Sequence, residues 1–351
     1  MRRRINVMLL ACVVAAALPA AAAHAQLALT QQEEPQFRAV DFDWVDAART
    51  RQVPARLYWP ANASGRVPLI VFSHGMGGSR RGYTYLATRW AAHGIASLHV
   101  QHVGSDSALW RGNPFGIVDR LQAAAHDSEA AARVGDLRFA LDRILSKTSG
   151  PYAAFVDRRR IIAAGHSYGA NTALLAVGAR VIRDGRWLEF RDPRFSAAIA
   201  ISAPPFYGET DLTGVLAKIS VPTLHVTATD DVIQIPGYYS PAADRSAIFS
   251  AIPKSRKLLA VFQGGSHSMF TDRTLTGGPG LNRKVKEATA DLAVAFLDYT
   301  YGDDAAGLDH WNLTWRDILA QAPALTAAPI AATPARKELR TTLARPIATT
   351  N

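Results

Sequence analysis

Gly165-His166-Ser167-Tyr168-Gly169 sets a serine between two glycines where a short apolar strand, residues 161–164, gives way to a helix-forming run from Asn171. A serine on so sharp a strand-to-helix turn exposes its Oγ, and the turn closes only if the residues two before and two after lack bulky side chains. The chemistry implied is nucleophilic attack on a carbonyl, with a covalent acyl intermediate. Such a reaction needs preorganised N–H donors where charge develops on the carbonyl oxygen. A second buried strand, residues 67–72, runs into Ser73-His74-Gly75-Met76-Gly77-Gly78-Ser79, whose glycines let backbone approach a substrate. The oxyanion donors are assigned to the amides of Met76, within that loop, and Tyr168, the residue after the nucleophile.

The serine also needs a base and an acid to orient it. The apolar run 221–226 ends in Thr227-Ala228-Thr229-Asp230-Asp231. Asp230 is favoured as the acid because it comes three residues after the small residue that ends the strand, with Asp231 the alternative. After a further strand, residues 258–262, the loop Gln263-Gly264-Gly265-Ser266-His267 supplies the base, His267. Activity should then fall on acidification through a pKa near the free-histidine value of about 6.5. Of the ten histidines, His74 and His166 are built into the two motifs and read as packing groups. His93, His99 and His102 cluster near one strand, but their spacing fits no zinc pattern, and no metal or cofactor is expected.

From residue 67 onward apolar strands alternate with amphipathic helices, at 83–93, 126–147, 171–182 and 284–301. That alternation implies a mainly parallel sheet with helices on both faces and ligands at the carboxyl ends of the strands, where Ser167, Asp230, His267 and the Met76 loop all fall. Residues 38–59 read as an antiparallel pair around an Ala-Ala-Arg-Thr turn. Segments 105–122, with Trp110 and Phe115, and 204–216, with Phe206 and Tyr207, follow strands on the catalytic side and suit an apolar acyl or aromatic group. Neither is long enough for a large lid domain, so a fairly open site is expected.

The chain starts with Met1-Arg2-Arg3-Arg4, an apolar stretch over 5–18 and Ala23-His24-Ala25, the pattern of a secretory signal cut after Ala25. The apolar stretch is too short for a transmembrane helix, so a secreted or periplasmic protein is expected. Cys12 is the only cysteine and would leave with the signal, which excludes disulfides and a thiol nucleophile. Residues 26–319 form one catalytic domain, and 320–351, rich in Ala, Thr and Pro, read as a flexible tail. The formal charge of +10 falls to +7 without the three signal arginines, and with no nucleic-acid motif the spread-out basic residues read as a solvated face.

The order Ser167, Asp230, His267 is that of the α/β-hydrolases. More narrowly, Phe72-Ser73-His74-Gly75-Met76-Gly77-Gly78, Gly165-His166-Ser167-Tyr168-Gly169 and Gln101-His102-Val103-Gly104-Ser105-Asp106 resemble segments of secreted esterases grouped around predicted dienelactone hydrolases and platelet-activating-factor acetylhydrolases. The resemblance spans roughly residues 38–300 and implies an α/β-hydrolase fold and a serine carboxylic ester hydrolase acting on small, lipid or polyester-type esters. Cytosolic dienelactone hydrolases use a cysteine nucleophile where this chain has Ser167. An acyltransferase with the same triad and a non-catalytic binding protein on the same fold are the alternatives.

Overall fold

A computed structural model describes residues 36–235, 237–253 and 256–324. The signal segment and residues 325–351 of the tail lie outside them. The amino-terminal alternation forms an antiparallel pair, β1 (Phe37–Asp46) and β2 (Arg51–Pro60). Then come β3 (Val67–Ser73), β4 (Ala96–Val100), β5 (Val156–His166), the hairpin β6 (Arg180–Arg183) and β7 (Arg186–Glu189), β8 (Ala197–Ile201) and β9 (Thr223–Asp230). A second small hairpin, β10 (Ile233–Ile235) and β11 (Tyr238–Ser240), precedes β12 (Lys257–Ser266) and β13 (Leu319–Gln321). Nine of these strands make one sheet in the order β1-β2-β4-β3-β5-β8-β9-β12-β13, parallel from β4 to β12 and antiparallel at both edges. The principal helices are α1 (Thr84–Ala92), α2 (Ile117–Ala124), α3 (Asp127–Ile144), α4 (Tyr168–Val177), α5 (Ala243–Ala251), α6 (Pro279–Gly302) and α7 (Ala306–Trp315).

Successive side chains of a strand point to opposite faces, so strands apolar throughout need cover on both. Leu69 and Val71 of β3, Ala163 of β5 and Ala198 of β8 pack with Val134, Leu137 and Leu141 of α3 and Leu174 of α4. The intervening residues, Ile70, Phe72, Ile162 and Ile199, pack with Leu86 and Trp90 of α1 and Val285, Leu292 and Phe296 of α6. Each fully buried side chain of this size contributes roughly 1.5 to 3 kcal/mol. The result is an α/β-hydrolase fold with no large lid domain among the described residues, and the long carboxyl-terminal ends of β5, β9 and β12 deliver Ser167, Asp231 and His267 to one edge.

Two expectations need correction. The helix read over 171–182 stops at Val177, because Gly178 turns the chain at φ 129° and residues 180–189 form the β6–β7 hairpin instead. Asp184 and Gly185 occupy its turn at φ 52° and 71°, the left-handed pair that fits the twist of a two-residue hairpin loop. The aliphatic run on both sides of Gly178 has a helix-like periodicity and hides this signal. At the other end, residues 320 and 321, read as the start of the tail, extend the sheet in β13 beside β12.

Candidate active site

β5 ends at His166 and α4 begins at Tyr168, so Ser167 alone makes the turn, at φ 55° and ψ −126°. A non-glycine residue in that region costs on the order of 1 to 3 kcal/mol, met by the packing around it. The Ser167 amide donates to the Ile201 carbonyl at 2.9 Å, and every α4 residue from Gly169 to Val177 is buried. A Cβ at Gly165 would lie 2.2 Å from the Gly169 carbonyl oxygen, and one at Gly169 would lie 2.0 Å from that of Ser73. Both are backbone collisions, so the flanking glycines are sterically required. Ser167 is 9% exposed.

Ser167 Oγ lies 2.8 Å from His267 Nε2. On the other side of the ring, His267 Nδ1 lies 2.8 Å from Asp231 Oδ1 and 2.7 Å from Ser202 Oγ. Ser202 donates its own hydrogen to Asp231 Oδ1 at 2.8 Å and therefore accepts from Nδ1. Nδ1 thus carries the hydrogen, leaving the Nε2 lone pair toward the Ser167 hydroxyl. The Thr227 hydroxyl donates to Asp231 Oδ2 at 2.7 Å. Burial pushes the Asp231 carboxyl up, but the hydrogen bond and charge of His267, the Arg245 guanidinium 3.6 Å away and the Ser202 bond outweigh it and hold the group at about 2.

The aspartate beside His267 is therefore Asp231, and the preference for Asp230 is corrected. After β9 the chain turns, with the Asp231 amide bonded to the Ala228 carbonyl, which brings residue 231 back beneath the strand end on the side of Thr227. The Asp230 side chain is exposed, and among the described residues its carboxylate accepts only a 3.2 Å bond from the Thr229 hydroxyl. Ser202 was not anticipated. It is a small polar residue at the carboxyl end of the strand next to β9, held at φ 53°, and that position was the available signal.

Three of the four amides from Gly75 to Gly78 are spent on the loop: Gly75 donates to Tyr83 Oη at 3.0 Å, Gly77 to the Ser105 carbonyl at 2.8 Å and Gly78 to the Gly75 carbonyl at 3.0 Å. The Met76 amide and that of Tyr168, at the first turn of α4, have no acceptor among the described residues. The Met76 side chain packs with Leu109, Leu121 and Ala124, which fixes the loop from outside. Trp110 Nε1 donates to the Gly77 carbonyl at 2.9 Å, and any Cβ at Gly77 would strike its ring.

Behind the loop lies a second Ser-His-Asp arrangement. His102 reaches Ser73 Oγ at 2.9 Å through Nε2 and Asp136 Oδ2 at 3.0 Å through Nδ1. All three are fully buried, so no substrate reaches them. Their surroundings are structural: Arg51 binds Asp136 and Glu129, and Arg133, fully buried, donates to Ser73 Oγ, Ser105 Oγ, Thr172 Oγ1 and the His74 carbonyl while its guanidinium lies 4.4 Å from the centre of the Tyr168 ring. One cation so ties the glycine-rich loop after β3 to the first turn of α4. His166 has a similar role. Its Nε2 donates to the His267 carbonyl at 3.1 Å and its Nδ1 accepts from Tyr83 at 2.9 Å, while burial pulls its pKa down to about 3. His99 is likewise buried, stacked on Phe72.

Beside Ser167 opens an apolar cavity of about 130 Å³. Its walls include Met76, Leu175, Phe190, Phe206, Tyr207 and Ile235. Of the aromatics picked from the sequence, Phe206 and Tyr207 line it, Trp110 braces the Gly77 turn instead, and Phe115 is 93% exposed and stands outside.

Three likenesses bear on this geometry. Residues 46–112 match the family described as platelet-activating factor acetylhydrolase, isoform II. A platelet-activating factor acetylhydrolase of Cavia porcellus is 26% identical over 301 residues, covering 74% of this chain and 63% of its own length, so the chain spans less than two thirds of that relative. A solved ferulic acid esterase from Streptomyces cinnamoneus superposes with a TM-score of 0.54 at 20% identity, covering 78% of this chain and 92% of that one. No helix among the described residues is long and apolar enough to cross a membrane.

Proposed function

We propose that this chain, which has the α/β-hydrolase fold, is a serine carboxylic ester hydrolase. The observation that carries the reading is the continuous line Ser167 Oγ, His267 Nε2, His267 Nδ1, Asp231 Oδ1, each contact at 2.8 Å, ending beside an apolar cavity. The similarity to an acetylhydrolase points to the same reaction class.

In this mechanism His267 Nε2 takes the Ser167 proton as Oγ attacks the ester carbonyl, and Asp231 steadies the imidazolium that forms. The Met76 and Tyr168 amides receive the negative oxygen, each such donor supplying roughly 2.7 to 4 kcal/mol of transition-state stabilisation. His267 then returns its proton to the leaving alcohol as the tetrahedral carbon collapses to the acyl-enzyme. Water, deprotonated by the same nitrogen, attacks the acyl carbon and releases the acid and free Ser167. The acid and alcohol together contain the atoms of ester and water, and no cofactor takes part. We also propose that the chain is exported and cut after Ala25, so that the secreted protein begins at Gln26 and shows the corresponding intact mass.

A fluorophosphonate probe followed by peptide mapping tests the site assignment. Labelling should fall on Ser167 and leave Ser73 free although both face a histidine, because only Ser167 reaches the cavity. Absence of label at Ser167 in folded protein would contradict the mechanism.

A further inference from the structure

The cavity beside Ser167 runs along α4, with Ser167, Asn171 and Leu175 all lining it. At the level of Leu175 the opposing wall comes from the β6–β7 hairpin, through Val181, Leu188 and Phe190. The hairpin base is anchored independently, since Arg138 donates to the Phe190 and Arg191 carbonyls and Arg180 to the Gly214 carbonyl. Its tip is held by Arg183. That guanidinium binds both carboxylate oxygens of Asp127, at the start of α3, and also Glu209, in the segment after β8. Glu209 in turn accepts from the Ile182 amide at 2.9 Å. Arg183 and Asp127 are themselves cavity-lining residues, so this ion-pair strap joins three separate walls of one pocket.

Resting on the esterase reading above, we propose that Arg183 is a specificity-determining residue: by strapping the hairpin to Asp127 and Glu209 it closes the acyl pocket and restricts substrates to esters of short or single-ring acids. The size argument is direct. A cavity of about 130 Å³ is slightly smaller than the roughly 150 Å³ apolar cavity that takes one benzene, so it accommodates about six carbon atoms. A chain that runs further along α4 meets the hairpin, and the strap opposes its displacement. The bidentate Arg183–Asp127 pair is geometrically specific although Asp127 is half exposed, and the Glu209 side chain, 5% exposed, gives Arg183 its shielded partner.

The test measures kcat/KM for p-nitrophenyl acetate, butyrate, hexanoate, octanoate and benzoate on the wild type, Arg183→Ala and Asp127→Asn. Circular dichroism checks that each variant is folded. The wild type should favour butyrate, hexanoate and benzoate over octanoate, and both substitutions should raise the octanoate-to-butyrate ratio, by about tenfold or more for Arg183→Ala. If Arg183→Ala unfolds, Asp127→Asn carries the test, because it breaks the strap from the α3 side. An unchanged ratio in folded variants of an active wild type overturns the inference alone. A wild type inactive on every ester overturns the esterase reading, and this inference with it.

Discussion

Replacing Asp231 by asparagine separates the two neighbouring aspartates and probes what the carboxylate does. Asp231 accepts three hydrogen bonds, from His267 Nδ1 at 2.8 Å, the Ser202 hydroxyl at 2.8 Å and the Thr227 hydroxyl at 2.7 Å. Asparagine has one accepting oxygen and one donating nitrogen. If the nitrogen faces His267, the ring must offer a lone pair there, which moves its hydrogen to Nε2, against Ser167, and removes the base. Loss of the charge also withdraws the stabilisation of the imidazolium. The expected fall in kcat is about four orders of magnitude, equivalent to roughly 5.5 kcal/mol. Folding stability changes as well. A buried carboxyl held at about 2 instead of 3.8 contributes roughly 2 kcal/mol at neutral pH, present above about pH 4 and lost as the pH falls through 2. Initial rates on p-nitrophenyl butyrate, with urea unfolding at pH 7.5, read both effects. Asp230→Asn should keep its rate within about twofold, since it loses one exposed 3.2 Å contact to Thr229. The reasoning fails if Asp230→Asn loses more than Asp231→Asn, or if Asp231→Asn keeps more than a tenth of the rate.

Two further outcomes follow from the geometry. His99, His166 and His225 are buried neutral with pKa values pulled down to about 3, chiefly by desolvation, whereas in the unfolded chain they take a proton near 6.5. The unfolded state therefore binds more protons below pH 6.5, and stability should drop by about 1.4 kcal/mol per histidine at pH 5.5, on the order of 4 kcal/mol together. Urea midpoints at pH 7.5 and 5.5 check this, and equal midpoints would contradict it. Gly169→Ala places a Cβ 2.0 Å from the Ser73 carbonyl oxygen, so the turn at Ser167 and the end of β3 must separate. A loss of roughly 3 kcal/mol or more is expected, read as a lowered melting temperature with near-complete loss of hydrolysis.

Most of the layout was legible in the sequence because it rests on local signals. The runs that became β3, β5, β8, β9 and β12 are apolar on both faces, which marks interior parallel strands, and the glycines two before and two after Ser167 mark its turn in the sequence, although the atoms that require them are the Gly169 backbone for Gly165 and the Ser73 backbone for Gly169. Asp231 was harder to separate from Asp230. The turn that returns it to Thr227 depends on a bond between the Asp231 amide and the Ala228 carbonyl, which no residue type in that stretch announces. The hairpin at 180–189 was readable from Asp184-Gly185, but the aliphatic periodicity across Gly178 outweighed it. Ser202, Arg133 and the Arg183 strap act through residues 26 to 65 positions away, and such pairings are products of the fold.

The most direct test of the central claim is hydrolysis of p-nitrophenyl butyrate by purified residues 26–351 beside Ser167→Ala. Ser167 is proposed as the nucleophile, so the substitution should lower kcat by on the order of a millionfold, to a residue no greater than that left by binding and the oxyanion amides. Equal turnover by the two folded proteins would show that the chemistry lies elsewhere.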